Sequence, residues 1–196
     1  MTEGSARGRP RPWRFVEYKT GKGALTQSLL IITGSMGVGK TSVLAEASDI
    51  LTLRHIVHAA VDLDALSLAY LPSAARTDDV MYQNLKAVCA NYAALGVTRL
   101  LLARAMEERA ELELCRAVVS SANTTVCRLT AGIATMHQRV RQRESGILQQ
   151  QFVDRVEILD AILDRARLED FIVINENRSI SDVAREMLIK AGWISE

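Results

Sequence analysis

A glycine-rich stretch near the amino terminus has the residue types and the spacing needed to hold phosphate. Residues 34–41 read GSMGVGKT, in which four residues separate Gly34 from Gly39, and Lys40 and Thr41 follow. Glycines adopt backbone angles that turn successive N–H groups toward an anion. Lys40 adds a positive charge for the outer phosphates, and the hydroxyl of Thr41 is suited to ligate Mg²⁺. The stretch predicts nucleoside triphosphate binding.

The predicted nucleotide contacts run through this loop into the next helix. Residues 29–33 read as a buried strand and residues 41–53 as a helix, whose positive amino-terminal end favours a bound anion. This context disfavours the alternative, a glycine turn with only a structural role. The predicted nucleotide-binding residues of the loop are Gly34, Ser35, Met36, Gly37, Val38, Gly39, Lys40, Thr41 and Ser42.

Two carboxylates end the next apolar segment. Residues 56–64, IVHAAVDLD, predict a second strand that finishes with Asp62 and Asp64. Ligands of an open parallel sheet collect beyond the carboxyl ends of its strands. If the strand continues through both residues, their side chains point to the same side. We predict Asp62 at Mg²⁺ and Asp64 at the substrate as the proton acceptor. The alternative is that Asp64 caps a short helix from Ala65 while Asp62 forms an ion pair.

Two arginines in a later helix are candidates to contact the phosphates. Arg139 and Arg143 are four residues apart and share a helix face. A segment that closes over the nucleotide would bring both guanidinium groups onto it, so we predict both as catalytic residues of a lid around residues 136–150. Gly146 would supply the hinge. The alternative is a charged face in contact with solvent.

Two further arginines follow predicted strands. Arg104, after the third strand, either binds an anionic or hydroxylated substrate or forms a salt bridge to Glu107 or Glu108. Arg178 belongs to the loop after the fifth strand, which is placed to border the purine of the nucleotide. In the same loop, Ser179 is a candidate cap of the last helix.

Alternating strands and helices must position these residues. Predicted strands cover 29–33, 56–64, 97–104, 124–129 and 171–175, and predicted helices cover 41–53, 79–95, 105–121, 133–143, 148–167 and 179–191. This alternation predicts an α/β domain over residues 28–196, with a parallel sheet covered on both faces. Residues 1–27 form a basic extension that we expect to be poorly ordered, with a contact to nucleic acid or an acidic partner as the alternative.

Composition narrows the class of protein. The 196 residues are 48% hydrophobic with a formal net charge of +1, which is typical of a soluble protein and not of a nucleic-acid binder. The segments around Cys89, Cys115 and Cys127 lack metal-ligand spacing, so we expect buried free thiols and no zinc. We find no apolar run long enough for a membrane span and no signal-peptide pattern, and therefore expect a cytoplasmic location.

With these features the chain resembles the P-loop small-molecule and nucleotide kinases, a group that contains shikimate, gluconate, adenylylsulfate and chloramphenicol kinases. The resemblance spans about residues 28–193 and is carried by GSMGVGKT, by Asp62 and Asp64, by Arg139 and Arg143, and by the last strand and helix. It implies a three-layer α/β/α fold whose five-stranded parallel sheet has the order 2-3-1-4-5. It also implies ATP and Mg²⁺ as cofactors.

The aspartate pair is similar to that of shikimate kinase, which implies Asp62 near the metal and Asp64 at the acceptor. Residues 103–105 lack the glycine-rich turn with which shikimate kinases contact their substrate. The resemblance thus implies transfer of the γ-phosphoryl group of ATP to a hydroxyl or phosphate of a small molecule other than shikimate. The alternative hypothesis is a nucleotide-binding regulatory module or ATPase switch. Under either hypothesis, we expect the protein to be a monomer or a homodimer.

Overall fold

The sheet of this protein consists of parallel strands that alternate with helices along the chain. The structure, a computed structural model, describes residues 28–70 and 77–196. Within these residues the strands are β1 (Ser28–Thr33), β2 (Ala59–Asp62), β3 (Arg99–Ala103), β4 (Asn123–Thr130) and β5 (Phe171–Ile174). The helices are α1 (Lys40–Leu53), α2 (Thr77–Ala94), α3 (Arg109–Val119), α4 (Ile133–Arg143), α5 (Gln149–Ala166) and α6 (Ile180–Lys190). The strand order is β2-β3-β1-β4-β5, which confirms the predicted fold class and order.

The central strand β1 is apolar on both faces because helices cover both sides of the sheet. Leu29 and Ile31 pack with core residues of α2 and α3, whereas Leu30 and Ile32 pack with those of α1, α4 and α6. Burial of each such side chain contributes about 1.5–3 kcal/mol. The strand that precedes the glycine-rich loop is therefore held firmly, and the start of the loop is fixed in space.

The carboxyl ends of three neighbouring strands meet at one edge of the sheet. Ala103 of β3 pairs with Ile32 of β1 on one side and with Asp62 of β2 on the other. The residues that follow these three strands are the glycine-rich loop, the turn that contains Asp64, and the segment that begins with Arg104. The register thus brings the three predicted parts of the site to the same edge.

Two predicted boundaries near the site are wrong. The second strand ends at Asp62 and not at Asp64, because a 3₁₀ turn spans Asp64–Ser67. The third helix begins at Arg109 and not at residue 105. The preceding segment has other hydrogen bonds, since the Met106 N–H donates to Thr33 Oγ1 at 2.9 Å. Both differences depend on hydrogen bonds to polar side chains, which hydrophobic periodicity does not reveal.

The remaining expectations concern the extension, the membrane and the cysteines. Residues 1–27, the predicted basic extension, lie outside the described residues. No helix in the described part of the chain is long and apolar enough to cross a membrane. Cys115 and Cys127 are buried free thiols, and Cys89 is a half-buried one. Burial raises the pKa of Cys89 to about 11 and that of Cys115 and Cys127 to about 12, so these thiols are protonated and unreactive at neutral pH.

Candidate functional site

The glycine-rich loop joins β1 to α1, and its glycines are required by both backbone conformation and packing. Gly37 has a φ of +75°, and a Cβ atom there would collide with the backbone oxygen of Met136 in α4. Gly39 has a φ of +98°, and a Cβ atom there would lie 2.5 Å from Nδ2 of Asn175. Residues with a side chain rarely adopt such angles. These glycines therefore allow α4 and the end of β5 to pack closely against the loop.

The side chain of Lys40 lies inside this loop. Its Nζ donates hydrogen bonds to the backbone oxygens of Gly34 at 3.0 Å and Ser35 at 3.2 Å. Burial lowers the pKa of Lys40 to about 8, against the opposing effect of the Asp64 and Asp62 carboxylates. A phosphate in the loop would favour the charged ammonium. The Lys40 side chain thus lies inside the loop with a proton that is held less firmly than in an ordinary lysine, and its contact with phosphate stays a prediction.

The two predicted metal ligands lie side by side. Thr41 Oγ1 donates a hydrogen bond of 2.6 Å to Oδ2 of Asp62. In the described part of the chain, no three His, Cys, Asp or Glu side chains are grouped as a metal site of their own. Mg²⁺ takes few protein ligands and completes its shell with phosphate oxygens and water. One hydroxyl and one carboxylate next to a phosphate-binding loop therefore fit Mg²⁺.

Asp64 does not share a strand face with Asp62. The Asp64 N–H donates to Oδ1 of Asp62 at 3.1 Å, and this local bond turns the chain at the end of the strand. Asp64 is the first residue of the 3₁₀ turn and Leu63 precedes it, so the predicted capping role of Asp64 is wrong. The Asp64 carboxylate accepts a hydrogen bond from Nη1 of Arg104 at 2.8 Å. The two aspartates thus contact different partners, Thr41 and Arg104.

Arg104 is occupied by ion pairs. Its guanidinium group contacts the carboxylates of Asp64 at 2.8 Å, Asp78 at 3.2 Å and Glu111 at 2.9 Å. Burial disfavours the charged form of Arg104 and so acts to lower its pKa. Hydrogen bonds to Glu111 and Asp64 more than offset this effect, so the pKa of Arg104 is raised.

The alternative of an ion pair for Arg104 is therefore correct in kind but wrong in partner. Glu107 pairs instead with Arg155 at 2.9 Å, and Glu108 makes no ion pair with any described residue. An acceptor-binding role for Arg104 stays a prediction. Its three ion pairs fix Asp64 relative to α2 and α3.

The two predicted lid arginines differ in their surroundings. Arg139 donates to the backbone oxygens of Gly37 and Val38, both at 3.4 Å, and to that of Asn175 at 3.0 Å. The Arg143 side chain is 61% exposed, and its one ion pair among the described residues is with the adjacent Glu144.

A cavity of about 330 Å³ beside the glycine-rich loop is lined by both arginines together with Gly37, Gly39, Ser42 and Gln142. Arg139 therefore braces the loop, whereas Arg143 is free to reach a nucleotide. The closing motion of a lid stays a prediction. Gly146 has an ordinary φ, and no described atom lies within 4 Å of a Cβ built there.

Two predicted nucleotide contacts have other partners. The Ser35 hydroxyl is buried and donates to the backbone oxygen of Val156 in α5 at 2.7 Å. Arg178 pairs with Glu186 of α6 at 2.5 Å and does not line the cavity beside the loop. Its contact with a purine stays a prediction. Ser179 accepts a hydrogen bond from the Asp182 N–H and caps α6, as the sequence suggests.

Asn175 is a part of the site that the sequence interpretation did not single out. It is 3% exposed, and its Nδ2 donates to the backbone oxygen of Val38 at 2.7 Å. Its own backbone oxygen accepts from Arg139. The signal in the sequence was a polar amide directly after a buried strand, but its partner is 137 residues away in the chain. Asn175 therefore ties the end of β5 to the phosphate-binding loop.

Known protein structures share the fold of this chain, whereas the sequence comparisons found no match. No protein-family model matches the chain, and no curated protein sequence matches it. The APS kinase of Mycobacterium tuberculosis, in complex with AMPPNP and APS, is similar with a TM-score of 0.58 at 19% identity, over 86% of this chain and 98% of that one.

Two further kinases are similar in the same way. Shikimate kinase from Acinetobacter baumannii, in complex with shikimate, has a TM-score of 0.56 at 16% identity, over 87% of this chain and 97% of that one. A gluconokinase from Sinorhizobium meliloti has a TM-score of 0.55 at 17% identity, over 86% and 93%. The chain has the fold of the P-loop small-molecule kinases.

Proposed function

We propose that the protein is an ATP-dependent phosphotransferase that moves the γ-phosphoryl group of ATP to a hydroxyl group of a small molecule. The observation that carries this proposal is the 2.6 Å hydrogen bond between Thr41 and Asp62. It joins the start of α1 to the Asp62 carboxylate at the end of β2, directly before the turn that contains Asp64, so the proposed nucleotide and acceptor sites adjoin. The kinase fold gives independent support.

The loop would bind the nucleotide. Its backbone N–H groups and the Lys40 ammonium contact the β- and γ-phosphates. Thr41 and Asp62 hold Mg²⁺, which when bound neutralises charge on the phosphate oxygens. Arg143, exposed beside the same cavity, supplies a further positive charge. Arg139 acts through the loop backbone that it braces and is thus a positioning residue.

The turn that contains Asp64 would serve the acceptor. The acceptor oxygen forms a bond to the γ-phosphorus while the bond from that phosphorus to the β–γ bridging oxygen breaks, which releases ADP. The hydroxyl proton passes to the Asp64 carboxylate. Arg104 holds that carboxylate in one orientation through the 2.8 Å ion pair. Most of the rate enhancement would come from positioning and charge neutralisation.

The test is transfer by the purified protein with ATP, Mg²⁺ and a pooled library of hydroxylated small molecules. ADP formation and new phosphorylated masses are recorded together. We expect Lys40→Ala to lose nucleotide binding and transfer, and Asp64→Asn to lose transfer but keep nucleotide binding. Asp49→Asn, on the exposed side of α1, is the matched control and should behave as wild type.

Two results would overturn the proposal. The first is ATP hydrolysis at the same rate with and without the library and no phosphorylated product, which would favour an ATPase switch. The second is normal turnover by Asp64→Asn, which would remove Asp64 as the proton acceptor.

A further inference from the structure

A second, larger cavity adjoins the Asp64–Arg104 ion pair. It has a volume of about 590 Å³ and lies between α2, α3 and α5, with Arg104 in its lining. This volume is in the range of small-molecule sites. Asp64 is not among the described lining residues, but Arg104 lines the cavity and contacts Asp64, so a molecule bound there is one side chain away from the proposed proton acceptor. On the proposed function, we take this cavity as the acceptor site.

The charge of this cavity is strongly negative. Among the described residues, its lining contains one arginine and five carboxylates, namely Asp78, Asp79, Glu107, Glu108 and Glu111. The arginine is already paired with Asp64, Asp78 and Glu111, and Glu107 is paired with Arg155 from outside the lining. Asp79 and Glu108 pair with no described residue. An anionic acceptor would be repelled by this surface, whereas an ammonium group would be attracted.

An unsatisfied hydroxyl in the same cavity points independently to a ligand. Tyr82 is 7% exposed and lines the cavity, and its hydroxyl oxygen has no hydrogen-bond partner among the described residues. Buried hydroxyl groups normally have such a partner. Burial, with the nearby Glu111, raises the pKa of Tyr82, so the hydroxyl keeps its proton and can donate. A polar group of a bound molecule would satisfy it.

We infer that this cavity binds a small polyhydroxylated acceptor that carries at least one ammonium group, with amino sugars and aminocyclitols as the chemical class. The ammonium group pairs with Asp79 and Glu108, and a polar group contacts Tyr82. Leu114 and Ile162 supply apolar contacts for the carbon skeleton. This inference rests on the proposed function for the direction of transfer, but the charge preference is a property of the cavity alone.

The first test is calorimetric binding to the full chain in saturating AMPPNP and Mg²⁺, with matched probes. Glucosamine and glucose differ in one ammonium group, and gluconate is an open-chain anion of the same carbon number. We expect glucosamine to bind about tenfold more tightly than the other two at low ionic strength. The Asp79→Asn/Glu108→Gln variant should bind glucosamine no better than glucose. The control Asp49→Asn/Glu196→Gln removes the same charge elsewhere and should keep the preference.

The outcomes separate this inference from the proposed function. Equal binding of the three probes, preference for gluconate, or an unchanged preference in the Asp79→Asn/Glu108→Gln variant would overturn the inference. So would the absence of glucosamine binding while AMPPNP binds normally. Failure of AMPPNP itself to bind would instead overturn the proposed function.

A second test addresses the hydroxyl of Tyr82. Tyr82→Phe removes only the oxygen, and we expect glucosamine affinity to fall about three- to tenfold, as for the loss of one hydrogen bond. The urea midpoint should not fall, because the hydroxyl has no described partner in the free protein. Tyr92→Phe, on the same helix and outside the cavity lining, should leave affinity unchanged. Unchanged affinity in Tyr82→Phe, or a lowered urea midpoint, would contradict the role of this hydroxyl.

Discussion

Thr41 and Asp62 meet across an intervening strand: the hydroxyl at the start of α1 donates to the carboxylate at the end of β2 at 2.6 Å, although β3 lies between β1 and β2. The intervening strand β3 ends in Ala103, which pairs with Asp62 in the sheet. The neighbouring strand therefore supplies no carboxylate, and Asp62 is the acidic residue that reaches the phosphate-binding loop.

Asp62→Asn tests this arrangement. The substitution keeps the size of the side chain but removes its negative charge, so we expect the Mg²⁺ concentration needed for half-maximal transfer to rise about ten- to hundredfold. Titration of activity with Mg²⁺ at saturating ATP measures the shift. Asp49→Asn should show none. An unchanged Mg²⁺ requirement in Asp62→Asn would exclude this carboxylate from the metal site.

The lowered pKa of Lys40 predicts that nucleotide binding depends on pH. Its pKa of about 8 in the free protein lies below the ordinary 10.5, and bound phosphate should raise it. ADP binding should therefore take up a proton above about pH 8 and weaken as the pH rises further. Calorimetry in two buffers of different ionisation enthalpy measures this uptake. Asp49→Asn should keep this uptake, and ADP binding by the wild type with no proton uptake above about pH 8 would contradict the lowered pKa of Lys40.

The same shift has a consequence for the stability of the free protein. The folded pKa of Lys40 is lowered, so between about 8 and 10.5 the unfolded chain holds a proton that the folded chain has lost. The contribution of this group to the free energy of unfolding therefore rises with pH across that window. Urea denaturation of wild type and Lys40→Met over the window should show a steeper rise for wild type. Parallel curves would contradict the lowered pKa.

Comparison of substitutions at Gly37 and Gly96 tests how tightly the glycine-rich loop is packed. Both have positive φ angles, +75° and +80°, but a Cβ atom at Gly37 collides with the Met136 backbone, while no described atom lies within 4 Å of one at Gly96. Gly96→Ala should cost about 1 kcal/mol of unfolding free energy from backbone strain alone. Gly37→Ala should cost more and also weaken nucleotide binding. Equal losses in the two variants would mean that α4 moves aside freely.

Substitutions of Arg139 and Arg143 should have different effects, although the sequence predicts the same role for both residues. Arg139→Met removes donors to three backbone oxygens and should lower the free energy of unfolding by about 1.5–3 kcal/mol. Arg143→Met should change it by less than about 0.5 kcal/mol, since its side chain is exposed. Turnover in Arg143→Met should fall about tenfold or more if its guanidinium contacts the phosphates. Denaturation and steady-state kinetics together give both readouts, and equal stability losses would contradict the separation.

Asn175 is expected to stabilise the loop. Asn175→Ala leaves the backbone oxygen of Val38 without its 2.7 Å donor in a buried site, which should cost about 1–3 kcal/mol. Asn91→Ala, an exposed position on α2, should be neutral or slightly stabilising. Urea denaturation measures both, and nucleotide affinity should fall only in Asn175→Ala. Wild-type stability in that variant would show that water replaces the amide.

Much of the fold was predictable because its signals are local. The run Leu29 to Ile32 is buried on both faces, and this is what a continuous apolar segment before a glycine-rich turn indicates. The order of the sheet came from the resemblance and is confirmed. The end of β2 was predicted two residues too late, because Asp62 accepts the Asp64 N–H and stops the strand. Apolar alternation does not report such a hydrogen bond.

The glycine-rich loop, with Lys40 and Thr41 at its end, could be predicted from the amino-acid sequence because local spacing sets local geometry. The position of Asp62 at the same edge of the sheet could be predicted as well. The partners of the charged groups became known from the folded structure. Arg104 pairs with Asp78 of α2 and Glu111 of α3. Asn175 donates to the backbone oxygen of Val38, which is 137 residues away in the sequence. These contacts depend on how the helices pack on the sheet, and packing over such separations is not encoded in local spacing.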